Sequence, residues 1–173
     1  METYDYVIVG AGSAGCVLAA RLSEDPDVSV LVIEAGPPDD KENIRIPAAF
    51  GSLLKTDVDW DYATMPEPGC NSRMMYMPRG KTLGGSSSIN AMVYIRGARA
   101  DYDGWRDLGN PGWGYDEVLP YFKRSEDNER GESHYHGVGG PLSVSDIRDL
   151  HPLADAFVAA GESLGYARAD LNG

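Results

Sequence analysis

Gly10, Gly12 and Gly15, followed nineteen positions later by Glu34, are the first residues whose type and spacing suggest chemistry. They lie in Gly10-Ala-Gly12-Ser-Ala-Gly15, directly after the apolar run Tyr6-Val-Ile-Val9. Glycines at this spacing between a strand and a helix hold the pyrophosphate of a dinucleotide. Gly10 allows the sharp turn, Gly12 lets the backbone approach the phosphates, and Gly15 lets helix and strand pack closely. The N–H groups and dipole of the helix's first turn, at Ser13 and Ala14, then face two negative phosphates. Glu34, followed by Ala35, stands where an acid accepts hydrogen bonds from the adenosine ribose; its charge would repel a 2′-phosphate and so disfavours NADP. The motif alone does not separate NAD from FAD, since both bind through the same ADP half.

A second glycine segment begins about seventy residues on, as Arg79-Gly80-Lys-Thr-Leu83-Gly84-Gly85-Ser86-Ser87-Ser-Ile-Asn90-Ala91-Met92-Val93. Paired glycines followed by serines expose N–H groups and hydroxyls able to cradle a polar ligand. Gly80-Lys81-Thr82 resembles the end of a nucleotide-triphosphate loop, but that motif needs a glycine where Met75 stands. Ser13 and Ser86 both fail the Gly-x-Ser-x-Gly elbow of a hydrolase.

No residue reads as a catalytic base. The histidines are His134, His136 and His151. His134 and His136 form no metal site without a carboxylate or cysteine set nearby. His136 is expected to fix its loop by hydrogen bonding, and His151 to precede a helix. Cys16 is read as a small packed residue on the first helix and Cys70 as a loop residue; with no Cys-x-x-Cys spacing, a reducing cytoplasm fits.

The elements that must position these residues follow from periodicity. Tyr6–Val9 and Val30–Ile33 read as parallel strands buried on both faces, with an amphipathic helix over Ser13–Leu22 between them. Met92–Ile95 and Pro141–Val144 are weaker strand candidates. Helices are predicted over 101–108, over 115–126 with Asp116 able to cap it, and from Pro152 to Leu164. A short helix is predicted around 48–54. Met74 to Met77 reads as packing, 126–140 as a charged surface loop, and 170–173 as a turn. Two strands do not make a covered parallel sheet, so the fold is α/β, part of a Rossmann-like nucleotide-binding domain whose sheet is completed by residues outside this chain.

Composition narrows the partners. The 173 residues carry 15 basic and 27 acidic side chains, a net charge of −12. Such a chain repels a phosphate backbone and shows no basic stripe, so nucleic acid is excluded as a partner. No apolar run approaches membrane-spanning length, and the first residues lack the positive region of a signal peptide.

The stretch from Gly80 to Asp103, with Gly84-Gly85-Ser86-Ser87, Asn90, Tyr94 and Gly97, resembles the first signature of the glucose–methanol–choline (GMC) oxidoreductases. Other features of that family run along the whole chain: Glu34-Ala-Gly36, Pro47, Asp59-Trp60, Trp105, Trp113-Gly-Tyr, Leu119-Pro-Tyr-Phe122 and Tyr135-His-Gly-Val-Gly-Gly-Pro141. The likeness is greatest to the choline-dehydrogenase-type branch. It implies FAD, with Gly84 to Ser87 along the pyrophosphate and ribityl chain and Asn90 to Val93 beside the isoalloxazine. It implies an FAD-binding domain over 1–140, comprising a βαβ unit at 4–36 and a flavin-covering segment at 78–97, with 141–173 leading toward a substrate-binding domain. It also implies the N-terminal part of an enzyme that oxidises a primary alcohol, choline-like or other; the alternatives are the non-oxidative chemistry of relatives that include a lyase and a photodecarboxylase, or an isolated nucleotide-binding fragment without activity. Family members take their catalytic base from far C-terminal motifs that none of the three histidines matches. The remaining C-terminal part of the enzyme is therefore the expected partner. Some members bond flavin covalently through a histidine where Ile89 stands here, so non-covalent FAD is expected.

Overall fold

Strand β1 (Tyr6–Val9) and strand β2 (Val30–Ile33) pair in parallel, Tyr6 opposite Val30 and Val9 opposite Ile33, with helix α1 (Ser13–Leu22) between them in the chain. The computed structural model describes residues 2–172; Met1, and Gly173 at the end of the expected 170–173 turn, lie outside it. The backbone divides into two compact units, Met1–Val93 and Tyr94–Gly173.

In the first unit, Ile8 is buried while Val7 and Val9 are 56% and 83% exposed. The expected burial of both faces is thus not met. Among the described residues this sheet has two strands, so nothing covers the valines' outer faces. Cys16 is also exposed rather than packed, its thiol donating to the Ala11 carbonyl. A 3₁₀ segment over Pro47–Leu53 replaces the predicted short helix, with Pro47 at its start. Leu53, Val58 and Ile89 form a small core against Ile44 and Leu54. Strand β3 (Tyr62–Ala63) pairs antiparallel with strand β4 (Tyr76–Met77). Met74, Met75 and Met77 are all more than a third exposed, so the packing expected of them does not occur.

No strand forms over 92–95. Met92 has φ +55°, outside the β region, and its N–H is taken by the Asn90 side chain instead of a neighbouring strand.

In the second unit, helix α2 (Arg99–Asp107) and helix α3 (Tyr115–Ser125) bury Tyr102, Tyr115 and Leu119, joined by Val118 and Phe122. Tyr102 meets Phe122 and Trp105 edge to face at 5.7 and 5.4 Å, the arrangement aromatic quadrupoles favour. The cap of α3 is Gly114, not Asp116: Glu117 accepts the Gly114 N–H at 2.9 Å, and Asp116 instead takes both arms of the Arg99 guanidinium. Helix α4 spans Pro152–Ser163, with His151 Nδ1 accepting the Leu153 N–H.

The predicted surface loop after α3 is partly a buried strand. Strand β5 (Glu126–Asn128) pairs in parallel with strand β6 (Leu142–Val144), and Glu126 is fully buried. A charged residue reads as surface in sequence, but Arg96, Asn128, the Gly137 N–H and His136 all converge on this carboxylate at 2.8–2.9 Å. Burial pushes its pKa up, but the hydrogen bonds from Asn128, the Gly137 N–H and His136 outweigh that and hold it below its ordinary value. His136 does fix its loop, its two ring nitrogens each 2.8 Å from a carboxylate, of Glu126 and of Asp170.

Candidate functional site

The two glycine segments meet. The Gly84 N–H donates to the Ala11 carbonyl at 2.8 Å, and the Ser13 and Ser87 hydroxyls share a hydrogen bond at 2.5 Å. Gly85, at φ +55°, lies so close to Gly12 that a Cβ on it would stand 2.7 Å from the Gly12 Cα. Only a residue without a side chain allows that approach. Gly84, also left-handed at φ +83°, turns the chain into the 3₁₀ segment Gly85–Ser88, which carries the serines across the start of α1.

The first segment is built as its glycines demand. Gly10 has φ +95° and its N–H continues the ladder to the Ile33 carbonyl at 2.7 Å. A Cβ on Gly15 would sit 2.0 Å from the Gly10 carbonyl oxygen and 3.3 Å from Ile8, so helix and strand pack at backbone distance there. The first turn of α1 has no preceding turn to accept its N–H groups, and Ser13 and Ala14 stand exposed at that end. Backbone donors and the helix dipole are presented together at this end, an arrangement able to cradle an anion.

Glu34 has a position that sequence spacing does not reveal. One carboxylate oxygen accepts the Ala11 N–H at 2.7 Å and the other the Gly36 N–H at 2.9 Å. It therefore clamps the glycine turn to the end of β2. Two oxygens offer about four acceptor sites, so the clamp leaves capacity for ligand hydroxyls. Ala35 is exposed beside it. Beyond Gly36 the chain reaches the second segment directly: the Pro37 carbonyl accepts both the Thr82 hydroxyl at 2.8 Å and the Leu83 N–H at 3.1 Å.

Residues 10–15, 34–36 and 80–88 are thus drawn together within the first unit. Gly80 donates its N–H to the Ser86 hydroxyl at 3.1 Å, Leu83 is 41% exposed, and the Arg79 guanidinium donates to the Pro78 carbonyl. Asn90, Ala91, Met92 and Val93 stand outside these contacts, exposed at the end of the unit. Ile89, by contrast, turns into the small core at 3% exposure.

Asp59 belongs to this arrangement and chain order gives no chemical reason to pick it out. It is buried, and accepts the N–H groups of Lys55, Asp61 and Arg79 and the hydroxyl of Tyr76. Burial pushes its pKa up, but these four donors outweigh that and bring it down to about 2. The Tyr76 hydroxyl is pushed up to about 12 by its own burial and by the carboxylate that accepts its proton. The available signal was Asp59 beside Trp60 between turn residues, of which only Asp59 is buried, and spacing rules do not interpret it.

Away from the glycine segments, a broad depression of about 690 Å³ in the second unit is lined by Asp116, Leu119, Lys123, Glu132, His134 and Val138. Among the described residues no cluster of three metal-ligating side chains occurs, and no helix is long and apolar enough to cross a membrane.

The family model described as GMC oxidoreductase matches residues 4–173. An alcohol dehydrogenase [acceptor] of Pseudomonas putida is 50% identical over 98% of this chain and 31% of its own length. Mouse mitochondrial choline dehydrogenase is 49% identical over 99% of this chain and 30% of its own length. Among solved structures, the pyridoxine 4-oxidase of Mesorbium loti superposes with a TM-score of 0.87 at 47% identity, covering 94% of this chain and 32% of that one. The chain thus spans about three tenths of the length of these relatives.

Proposed function

This chain belongs to the GMC oxidoreductase family, and on that premise we propose that it is the FAD-binding part of an enzyme that oxidises a primary alcohol, choline-like or other, to the aldehyde. The observation that carries this reading is the direct contact of the two glycine segments, through Gly84 and Ala11 and through Gly85 against Gly12. Two backbone-donor loops joined in this way suit one long, doubly charged nucleotide better than two separate ligands.

Gly10, Gly12, Ser13, Ala14 and Gly15 would take the pyrophosphate at the start of α1, and Glu34 with Ala35 the adenosine ribose. Arg79, Gly80, Leu83 and Gly84 to Ser87 would follow the middle of the cofactor, and Asn90 to Val93 its ring. The bound flavin supplies the hydride acceptor. Ile89 offers no atom for a covalent link and is buried in the core, which supports dissociable FAD. His136 is buried with both ring nitrogens facing carboxylates, so it is not free to take a substrate proton. The base belongs to polypeptide outside this chain, which also covers the open valines of β1 and shapes the alcohol pocket. Residues 1–140 act as the FAD-binding domain and 141–173 lead into the substrate-binding domain. Two free cysteines fit a reducing, cytoplasmic setting.

The test is spectroscopic. The full-length enzyme carrying this sequence should show flavin absorption bands that bleach anaerobically on adding a primary alcohol, and acid precipitation should release the flavin into solution. A colourless, correctly folded enzyme would refute the reading. Flavin that stays with the precipitate would refute its non-covalent part.

A further inference from the structure

We infer that Asp59 is a positioning residue for the cofactor, setting through Arg79 and Gly80 the register in which the second glycine segment meets the first. The inference rests on the FAD reading above. Asp59 is 6% exposed and cannot itself reach a ligand. Its Oδ1 accepts the N–H groups of Arg79 at 3.0 Å and Asp61 at 3.1 Å, and its Oδ2 the Lys55 N–H at 2.8 Å and the Tyr76 hydroxyl. These donors come from separate stretches of chain that the carboxylate gathers. Lys55 and Asp61 lie at φ +58° and +50°, a conformation uncommon for side-chain-bearing residues, and both present their N–H groups to it.

The consequence falls on Gly80. On either side of it, the Arg79 carbonyl accepts the Trp60 N–H at 2.9 Å and the Lys81 N–H donates to the Val58 carbonyl at 2.7 Å. With the Arg79 N–H held by Asp59, three successive residues are tied to 58–60 and Gly80 cannot slide. Its own N–H goes to the Ser86 hydroxyl, and a Cβ on it would stand 2.1 Å from the Gly85 carbonyl oxygen. Gly85 in turn touches Gly12 at the start of α1. An unbroken series of contacts therefore runs from Tyr76 through Asp59 and Gly80 to the cradle.

A carboxylate is required at the origin of this series. Four donors point at it, and an asparagine of the same shape would turn an NH₂ toward at least one of them. A buried donor without an acceptor costs far more than the net worth of one hydrogen bond, so the loop would shift rather than tolerate it.

The experiment uses apoenzyme of the full-length protein titrated with FAD and followed by flavin fluorescence. Asp59→Asn is expected to raise the FAD Kd by about tenfold or more, and Tyr76→Phe, which removes one donor of four, by about threefold. Leu119→Ala, in the aromatic cluster of the second unit, serves as the stability control: it should lower Tm comparably and change Kd by less than about twofold. Wild-type apoenzyme that takes up no FAD would sink the cofactor reading itself. Wild-type binding with unchanged Kd in both Asp59→Asn and Tyr76→Phe would overturn the positioning role alone. So would Leu119→Ala weakening FAD as much as Asp59→Asn at equal loss of Tm. Should Asp59→Asn not fold, Tyr76→Phe decides, an unchanged Kd overturning the inference.

Discussion

Around Gly12 and Gly85 backbone touches backbone, and side chains matter chiefly by being absent. Around Tyr102 and Leu119 the chain is held by interlocking aromatic rings, and beside them by a buried Arg96–Glu126 ion pair. The first region leaves its donors facing outward at the start of a helix; the second turns nearly every polar group of its core inward onto a partner. A surface meant to hold an anion needs unsatisfied N–H groups presented rigidly. A scaffold needs the opposite, full satisfaction. On the proposed reading, the difference between the two units is a difference of task.

That contrast can be broken by mutation, and the largest effect is expected in the scaffold. Glu126→Gln leaves the Arg96 charge buried without its counter-ion, which should cost about 4 kcal/mol in urea denaturation. A loss near zero would mean that the second unit does not depend on its polar core. Gly15→Ala should cost about 3 kcal/mol, because its methyl group would stand 2.0 Å from the Gly10 carbonyl, and FAD should be lost with it. Glu34→Gln is milder: it replaces one acceptor oxygen of the clamp by an NH₂ that faces the Ala11 or Gly36 N–H. FAD Kd should rise about tenfold while Tm moves little. If Tm fell and Kd did not, Glu34 would be a fold residue only.

A further expectation concerns pH. The Asp59 carboxyl is depressed to about 2 in the folded protein, below its ordinary value near 3.9. A depressed carboxyl stabilises above its unfolded pKa and loses that contribution as pH falls through its folded one. Between pH 4 and 2 the wild type should therefore lose more stability than Asp59→Asn, and denaturation midpoints across that range would show equal slopes if the carboxylate were not so held.

Much of this was legible in residue order, for identifiable reasons. The helices over α1, α2, α3 and α4 announce themselves by apolar spacing and proline placement, signals that act within one or two turns. The glycine turn and Glu34 were legible as a motif because their spacing is imposed by a ligand's dimensions. What failed was long-range. Glu126 reads as a surface charge because its partners, Arg96 and His136, are distant in the chain. Met92–Ile95 reads as a strand by composition, yet the Asn90 side chain takes the N–H a ladder would need. Asp59 stands out in sequence only through the family resemblance at Asp59-Trp60, and its role is hidden for the same reason as that of Glu126: its donors at 55, 76 and 79 are brought to it by the fold. The open valines of β1 expose the converse limit, since periodicity reports that a face is apolar and not what covers it.

The central claim is that the turn at 10–15 and the segment at 80–88 form one nucleotide site. Hydrogen–deuterium exchange of the full-length apoenzyme, with and without saturating FAD, tests it most directly. Amides in both stretches should slow together on binding and with the same dependence on FAD concentration. Protection of one stretch while the other exchanges unchanged would contradict it.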